Sequence, residues 1–283
     1  MINRVTTTLL LVVGVSKLPC IAHAVPLVRS IGGSNPASIQ ATVDQFRADL
    51  GDLNPNVAGS FAGGRREINW DGVPDALAAP NNLPPDFFNV NSPRGVVFTT
   101  PGTGFQVSAK AGVGAIEFGN INANYPGFFA TFSPQRLFTS LDSNIVDVLF
   151  FEPGSLTPGS TNGFGAVFTD VDLASTTGIQ YFDASNNLLF SDFVKPGTVG
   201  NESLSFLGVS FTEGAVVARV RITNGNSPLG AGVNEGANID LVVMDDFIYG
   251  EPIAVRPVSE PWTPMLVGLG LLGMGIQKRA RTL

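Results

Sequence analysis

Cysteine and histidine are almost absent from this chain of 283 residues, which contains one of each. Cys20 and His23 both lie within the first 24 residues, a stretch with the build of a cleaved secretory signal. Without that stretch, no disulfide, thiolate metal site, cysteine nucleophile, histidine general base or histidine-ligated zinc can form. Of the major enzyme classes, the composition leaves open a glycosidase that uses two carboxylates.

Basic residues are also scarce, because the chain has 16 Lys and Arg against 23 Asp and Glu. Five of the basic residues lie in the two terminal segments, so residues 25–258 carry 22 acidic and 11 basic side chains, a net charge of −11. Such a surface repels nucleic acid and anionic lipid, and we expect neither as a partner. It suits neutral glycans, divalent cations or simple solubility.

The first 24 residues predict export. Arg4 precedes an apolar run at residues 9–15, and Ala22, His23 and Ala24 form the small-x-small pattern of a cleavage site. We therefore assign residues 1–24 as a signal peptide.

Residues 257–283 carry a second targeting pattern. Ser259, Glu260 and Pro261 precede an apolar segment, residues 262–276, which predicts a short C-terminal hydrophobic helix. Such a helix is about 22 Å long, shorter than the ~30 Å hydrocarbon core of a bilayer. The basic residues that follow place this end on the cytoplasmic side; they are Lys278, Arg279 and Arg281. An ordinary short membrane anchor is one interpretation.

This order of parts resembles the PEP-CTERM sorting tail of exopolysaccharide-producing Gram-negative bacteria, which has a Pro-Glu-Pro signature, a Gly/Leu-rich helix and a basic cluster. The chain departs from the signature at Ser259, where the family has proline. The resemblance implies an exosortase-type membrane protease as the partner that processes the tail. It also implies a protein of the cell envelope, cell surface or extracellular matrix, with a transient or permanent C-terminal membrane segment.

The sequence between the terminal segments predicts a mainly β protein with one N-terminal helix. Asn35 and Pro36 provide a helix cap and first turn, and apolar residues with helical spacing follow until Gly51. From Gly95 onward, runs of Val, Ile, Phe and Thr alternate with turn residues, and no βαβ spacing occurs. We predict an antiparallel β-sandwich, jelly-roll- or lectin-like, over residues 95–256. Residues 25–94 are predicted to form a helix and loop-rich segment packed on its edge or end.

The predicted strands cover residues 96–100, 105–109, 127–132, 136–140, 145–151, 164–171, 179–182, 188–194, 204–211, 216–223 and 239–249, with a hairpin loop at residues 183–187. Residues 163–172, 180–183 and 243–250 also resemble the extracellular sandwich domains that precede PEP-CTERM tails. This second resemblance covers roughly the C-terminal half of the body. It implies a surface location and a lectin-like architecture, and it implies no reaction.

Acidic residues at strand ends form the first candidate site. Asp170 and Asp172 share one face of a strand end, and Asp245 and Asp246 lie near the end of the last strand. Carboxylates, Asn and backbone carbonyls are the oxygen ligands that Ca²⁺ takes, six to eight at a time. Further candidate ligands are Asp183, Asn186 and Asn187. The spacing matches no EF-hand loop, and the alternative is that these acids cap turns or face water.

Residues 65–75 form the second candidate site, a dense cluster of polar, aromatic and turn residues. Trp70 offers a face on which a neutral sugar could stack. The polar partners would be Arg66, Glu67, Asn69 and Asp71. The alternative is a structural plug, with Trp70 buried and an Arg–Glu pair fastening the helix region to the sandwich. Glu67 and Asp71 are also the candidate acid pair of a glycosidase.

Together these patterns predict a non-enzymatic cell-surface or biofilm-matrix protein, sorted through its tail, with weak binding to an extracellular polysaccharide. No catalytic residue is assigned, and Ca²⁺ is the one cofactor hypothesis. A two-carboxylate glycosidase of the envelope is the alternative function.

Overall fold

The computed structural model describes residues 26–255 of the chain. The predicted signal peptide and the predicted C-terminal helix lie outside the described residues. So do the six residues of the sorting pattern, Ser259, Glu260, Pro261, Lys278, Arg279 and Arg281. Within residues 26–255, no helix has the length and apolar character that crossing a bilayer requires.

This part of the chain forms fourteen strands and two α-helices. The strands are β1 (Pro26–Gly33), β2 (Arg65–Ile68), β3 (Val96–Thr99), β4 (Gly104–Val107), β5 (Phe138–Leu141), β6 (Ile145–Phe150), β7 (Gly159–Ser160), β8 (Gly163–Thr169), β9 (Gly178–Phe182), β10 (Leu188–Phe193), β11 (Leu204–Phe211), β12 (Arg219–Thr223), β13 (Val243–Gly250) and β14 (Ile253–Ala254). The helices are α1 (Pro36–Leu50) and α2 (Phe87–Val90), and short 3-10 turns occur at Asp75–Leu77 and Tyr125–Gly127.

The strands assemble into two large antiparallel sheets and one small one. The seven-stranded sheet has the order β1-β11-β8-β13-β5-β4, and β2 pairs with β13 beside β5. The five-stranded sheet has the order β10-β9-β12-β6-β3, and β14 pairs with β7. The prediction of a mainly β protein with antiparallel sheets is confirmed.

The two large sheets face each other across one apolar core. Phe138 and Phe164 of the seven-stranded sheet lie 5.0 and 6.3 Å, between ring centroids, from Phe98 and Phe150 of the other sheet. Aromatic pairs at such distances bury large apolar areas and add about 0.5–1.5 kcal/mol each beyond that burial. The inner face of the five-stranded sheet is thus fixed against the larger sheet, and its outer face remains open to solvent.

α1 covers the outer face of the seven-stranded sheet. Asn35 caps the helix by accepting a hydrogen bond from the Ser38 N–H. The apolar stripe of the helix is buried against Val167, Phe206 and Ile248; it consists of Ile39, Val43, Phe46 and Leu50. The predicted start, end and buried stripe of the helix are confirmed. The prediction that it packs on an edge or end is wrong, because α1 lies on a sheet face and leaves β8, β11 and β13 buried on both sides.

The segment predicted at residues 25–94 is described from Pro26, and residues 26–94 are not an appendage of the sandwich, in contrast to the prediction. β1 pairs with β11 over eight residues, and β2 pairs with β13 over four. Both strands therefore belong to the seven-stranded sheet. The strand predicted at residues 127–132 is wrong too, because Tyr125–Gly127 is a 3-10 turn and Phe129 packs with Phe118 and Leu241 beneath surface loops.

Candidate functional site

Arg66 and Glu251 form a buried ion pair. The Arg66 side chain is fully buried, and its Nε and Nη2 donate to the two Glu251 oxygens at 2.8 Å each. Nη1 donates to the carbonyls of Val57 and Pro93, and Nη2 also donates to that of Gly59. Arg66 thus ties two loops to the end of β13 and presents nothing to a ligand.

Glu67 fastens α1 to the seven-stranded sheet. Its carboxylate accepts from Nε and Nη2 of Arg47 on the helix, at 3.0 Å each, and from Arg65 Nε at 2.7 Å. This contact is the Arg–Glu fastening that the structural-plug interpretation requires.

Trp70 is buried, so the prediction that it stacks on a sugar is wrong. The indole is 1 % exposed and lies parallel to the Phe138 ring, 4.0 Å between centroids. The edges of Phe88 and Phe247 pack against it as well. Its Nε1 donates to the Asp245 carbonyl at 2.8 Å. An indole with neighbours on its face and edges belongs to the core.

Asn69 and Asp71 stay near the surface but make local contacts. Asp71 Oδ1 accepts from the Gln135 N–H at 2.6 Å, and Asn69 Nδ2 lies 3.4 Å from Asp71 Oδ2. Burial raises the pKa of Asp71 above its ordinary value. Asp71 therefore anchors the loop before β5, while the Glu67 carboxylate faces arginines.

Asp245 and Asp246 occupy an irregularity in β13, between Met244 and Phe247. Asp245 Oδ2 accepts from the N–H of Phe132 at 2.6 Å, and Asp246 Oδ1 accepts from Ser133 Oγ at 2.5 Å. Burial, and then the adjacent Asp246, raises the pKa of Asp245 well above its ordinary range. These acids hold the chain that leads to β5, and they do not join Asp170 in one site.

The residues 183–187 form the predicted hairpin loop between β9 and β10. Asp183 caps that loop, because its Oδ1 accepts from the N–H groups of Ser185 and Asn187 at 2.8 Å each. Asn186 Oδ1 accepts from Arg219. The predicted role of Asp183, Asn186 and Asn187 as further Ca²⁺ ligands stays a prediction, and Asp183 Oδ1 and Asn186 Oδ1 already accept hydrogen bonds within the protein.

Asp170 is the buried acid that the fold leaves unsatisfied. It directly follows β8, its side chain is fully buried, and neither carboxylate oxygen has a hydrogen-bond partner. Burial raises its pKa to about 8, and the next causes are the charges of Asp172, Glu235 and Asp240. The nearby Glu202 N–H opposes this rise, but it is hydrogen-bonded to the Phe128 carbonyl at 2.6 Å. The acidic cluster below consists of Asp170, Asp172, Glu235 and Asp240.

Asp240 shapes the loop that carries this cluster. Its Oδ1 accepts from the Asp172 N–H at 2.9 Å, and its Oδ2 accepts from Thr176 Oγ1. Glu235 accepts from the Leu241 N–H at 2.5 Å, and burial raises its pKa to about 7. Among the residues described here, no three His, Cys, Asp or Glu side chains converge closely enough to hold a metal ion by themselves.

A groove of about 360 Å³ lies beside the β9–β10 hairpin of the five-stranded sheet. Its lining combines hydroxyl, amide, carboxylate and aromatic groups from Ser175, Thr176, Gly178, Ile179, Gln180, Ser191, Asp192, Phe193 and Thr223. Phe193 is 56 % exposed and pairs with Gly178 across the hairpin. Because the glycine has no side chain, the ring can lie over the neighbouring strand. Sequence reasoning missed this groove, because β10 shows no alternation of apolar and polar residues that would point to it.

A polar network crosses the outer face of the same sheet. Asp147 accepts from Arg219 Nη1 at 2.8 Å and from Arg221 Nη2 at 2.7 Å. The Arg219 guanidinium carbon lies 3.8 Å from the centroid of the Phe182 ring. Two arginines against one aspartate give this face a local positive charge on a body that is acidic as a whole.

Comparisons with known proteins identify no family. No protein-family model and no curated protein matches the chain. One similar solved structure is a glycoside hydrolase family 43 arabinoxylan arabinofuranohydrolase from Bacillus subtilis in complex with cellotetraose. The identity is 14 %, the TM-score is 0.25, and the match covers 43 % of this chain and 23 % of that one. A similarity of this size supports no conclusion about fold or activity.

Proposed function

We propose that this protein is a non-enzymatic component of the cell surface or extracellular matrix that binds polysaccharide weakly. The binding site in this proposal is the groove beside the β9–β10 hairpin. Export through the predicted signal peptide and sorting through the predicted PEP-CTERM-like tail would bring the groove to a glycan-rich surface.

The observation that carries the proposal is the chemistry of the groove lining. Neutral sugars are held by an aromatic face with a few convergent hydrogen-bonding groups. Phe193 provides an exposed ring, and Gln180 and Ser191 are exposed polar side chains on adjacent strands. Arg219 and Arg221 on the same sheet face also favour weakly acidic sugars.

The affinity should be low for a single site. One exposed aromatic contact contributes about 0.5–1.5 kcal/mol, so useful retention requires a repeating polymer or many copies of the protein. A matrix protein meets both conditions, because its ligand is polymeric and its copies are concentrated at one surface.

The test compares Phe193→Ala with Leu188→Ala in affinity electrophoresis through purified extracellular polysaccharide. Both residues are exposed apolar side chains of β10, but only Phe193 lines the groove. Phe193→Ala should weaken retention about 2- to 10-fold, as expected for the loss of one stacking contact. Leu188→Ala should behave as the unchanged protein. Equal retention of all three proteins would contradict the proposal.

The alternative function, a glycosidase, would require two carboxyl groups in the same groove. Among the lining residues, all of them in the described part of the chain, Asp192 is the single carboxylate. Retaining and inverting glycosidases both use two carboxyl groups about 5–10 Å apart. Release of reducing sugar that disappears in Asp192→Asn would favour the enzyme, and retention without release supports binding alone.

A further inference from the structure

We propose that Asp170 and Asp172 bind a Ca²⁺ ion at the end of the sandwich, within the acidic cluster. The site is distinct from the groove beside the β9–β10 hairpin, and the inference does not depend on glycan binding. The Asp170 carboxylate, which is buried and lacks partners, distinguishes this cluster from an ordinary group of acids.

A buried carboxylate without hydrogen bonds is costly in a folded protein, and native structures almost always provide it with donors or a cation. Both oxygens of Asp170 lack a partner, while its own backbone N–H is paired with the Ser203 carbonyl at 2.9 Å. The unmet requirement is therefore confined to the carboxylate. A cation beside it would satisfy the oxygens at once.

The charges around Asp170 have one sign. The charged groups that act on it are Asp172, Glu235 and Asp240, and all three are acidic. In the described part of the chain, arginines pair with three other buried acids, which are Asp147, Asp246 and Glu251. The acidic cluster has no such partner among these groups, so an external cation is the charge that it lacks.

Neutral oxygen atoms are also left over in the adjoining segments. Ser203 Oγ and both polar atoms of the Asn224 side chain are buried without a partner. Asn224 precedes Gly225, whose N–H donates to Thr177 Oγ1 at 2.9 Å and whose backbone lies directly against the Asp240 carbonyl. Since Ca²⁺ accepts hydroxyl, amide and carbonyl oxygens and water, two carboxylates suffice and a third convergent acid is not needed.

The remaining acids have different roles in this site. Asp240 is a positioning residue, because its oxygens already accept from Asp172 N and Thr176 Oγ1 and thereby fix the loop at residues 170–176. Glu235 adds negative charge at the rim. Ca²⁺ is the cation of choice because the set contains hard oxygen donors only, and Ca²⁺ accepts irregular coordination whereas Mg²⁺ demands a strict octahedron.

The experiment measures the melting temperature of the full chain with and without CaCl₂. Isothermal titration calorimetry measures the binding of CaCl₂ to the same protein. The variants are Asp170→Asn and Asp172→Asn, and the control is Asp44→Asn, an exposed acid on α1 that pairs with Arg47. Extracellular calcium modules bind with Kd of ~10⁻⁴–10⁻³ M, so the titration extends into the millimolar range.

We expect one bound Ca²⁺ per chain and a rise in melting temperature of about 5–10 °C at a hundredfold excess over Kd. Asp170→Asn should abolish the calcium-dependent rise, and Asp172→Asn, whose exposed side chain does not endanger folding, should weaken binding about tenfold or more. Asp44→Asn should bind as the unchanged protein does. Absence of heat and of any thermal shift, or full binding by both cluster variants, would overturn the proposal.

Discussion

Every N–H group of the Arg66 guanidinium has an acceptor, either a Glu251 oxygen or a backbone carbonyl. Because the pair is buried, removal of the negative partner leaves an uncompensated charge in the core. We expect Glu251→Gln to lower the free energy of unfolding by about 3–5 kcal/mol, as measured by urea denaturation.

The matched double variant Arg66→Met with Glu251→Leu removes both charges and should cost much less than Glu251→Gln alone, since no charge is then left unpaired. A double variant that is as unstable as the single one would show that packing, rather than charge, dominates at this position. The partly exposed pair of Arg29 and Asp49 provides the surface comparison, and its loss should have a far smaller effect.

The pair Asp245 and Asp246 predicts a pH dependence of stability. Burial raises the pKa of Asp245 well above that of an unfolded aspartate, about 3.9. The folded state therefore binds more protons than the unfolded state between these two values. Stability from this group is complete below about pH 4 and is lost as the pH rises through the folded pKa.

Thermal unfolding measured across pH 4–8 tests whether stability falls as the pH rises. Asp245→Asn cannot titrate, so its stability should decline less steeply with rising pH than that of the unchanged protein, whereas Asp44→Asn should follow the unchanged protein. Parallel curves for all three proteins would contradict a raised pKa at Asp245.

The sequence indicates which acidic residues are candidates for a site, but not which of them lie close together in the fold. Asp170 and Asp172 are visible as a pair at a strand end, whereas the Asp240 carboxylate reaches the Asp172 N–H from 68 residues away. The stack of Trp70 on Phe138 is likewise a contact between distant segments. Sequence spacing therefore favours the structural plug without excluding the sugar platform, and the fold decides between them.

At the scale of elements, Phe46 of α1 rests directly on the backbone of the sheet. A Cβ at Gly208 would lie 2.9 Å from two Phe46 ring atoms and 2.8 Å from Phe206 Cζ. We expect Gly208→Ala to lower the free energy of unfolding by about 1–3 kcal/mol, because the added methyl overpacks the helix–sheet contact.

Gly72→Ala is the control, since a Cβ there meets no atom within 4 Å. The double variant Phe46→Leu with Gly208→Ala should cost less than the sum of its parts, because the smaller side chain makes room for the methyl. Strict additivity would argue against the contact as the cause. Urea denaturation measures the free energy of unfolding of Gly208→Ala, Phe46→Leu, the double variant and Gly72→Ala.

Local patterns predict α1 well, because the cap, the apolar spacing and the stop at Gly51 all lie within one segment. They predict β11 equally well, as an apolar run bounded by turn residues. β1 and β2 are not predicted, because neither shows a clear alternation of apolar and polar residues. Each is stabilised by pairing with a strand more than 170 residues away. Local β propensity carries no information about a partner strand that is so far away in the sequence.

At the scale of the whole molecule, the terminal patterns predict that the C-terminal tail governs the destination of the protein. Deletion of residues 259–283 should move the protein from the envelope or surface fraction to the medium, as followed by cell fractionation and immunoblotting. Replacement of Glu260 by Ala in the full chain provides a finer test of the sorting pattern. If intact and truncated chains fractionate identically, the tail has no sorting role.

β13 is the last long strand of the described chain, yet it lies in the middle of the seven-stranded sheet, between β8 on one side and β2 and β5 on the other. A polypeptide that emerges with its N-terminus first, from a ribosome or a translocation channel, cannot close this sheet before residue 250 has emerged. Non-local pairing of this kind also makes folding intrinsically slow. The last long strand of the described chain is thus the one that joins the two halves of the seven-stranded sheet, and the architecture delays the completion of this sheet to the end of synthesis.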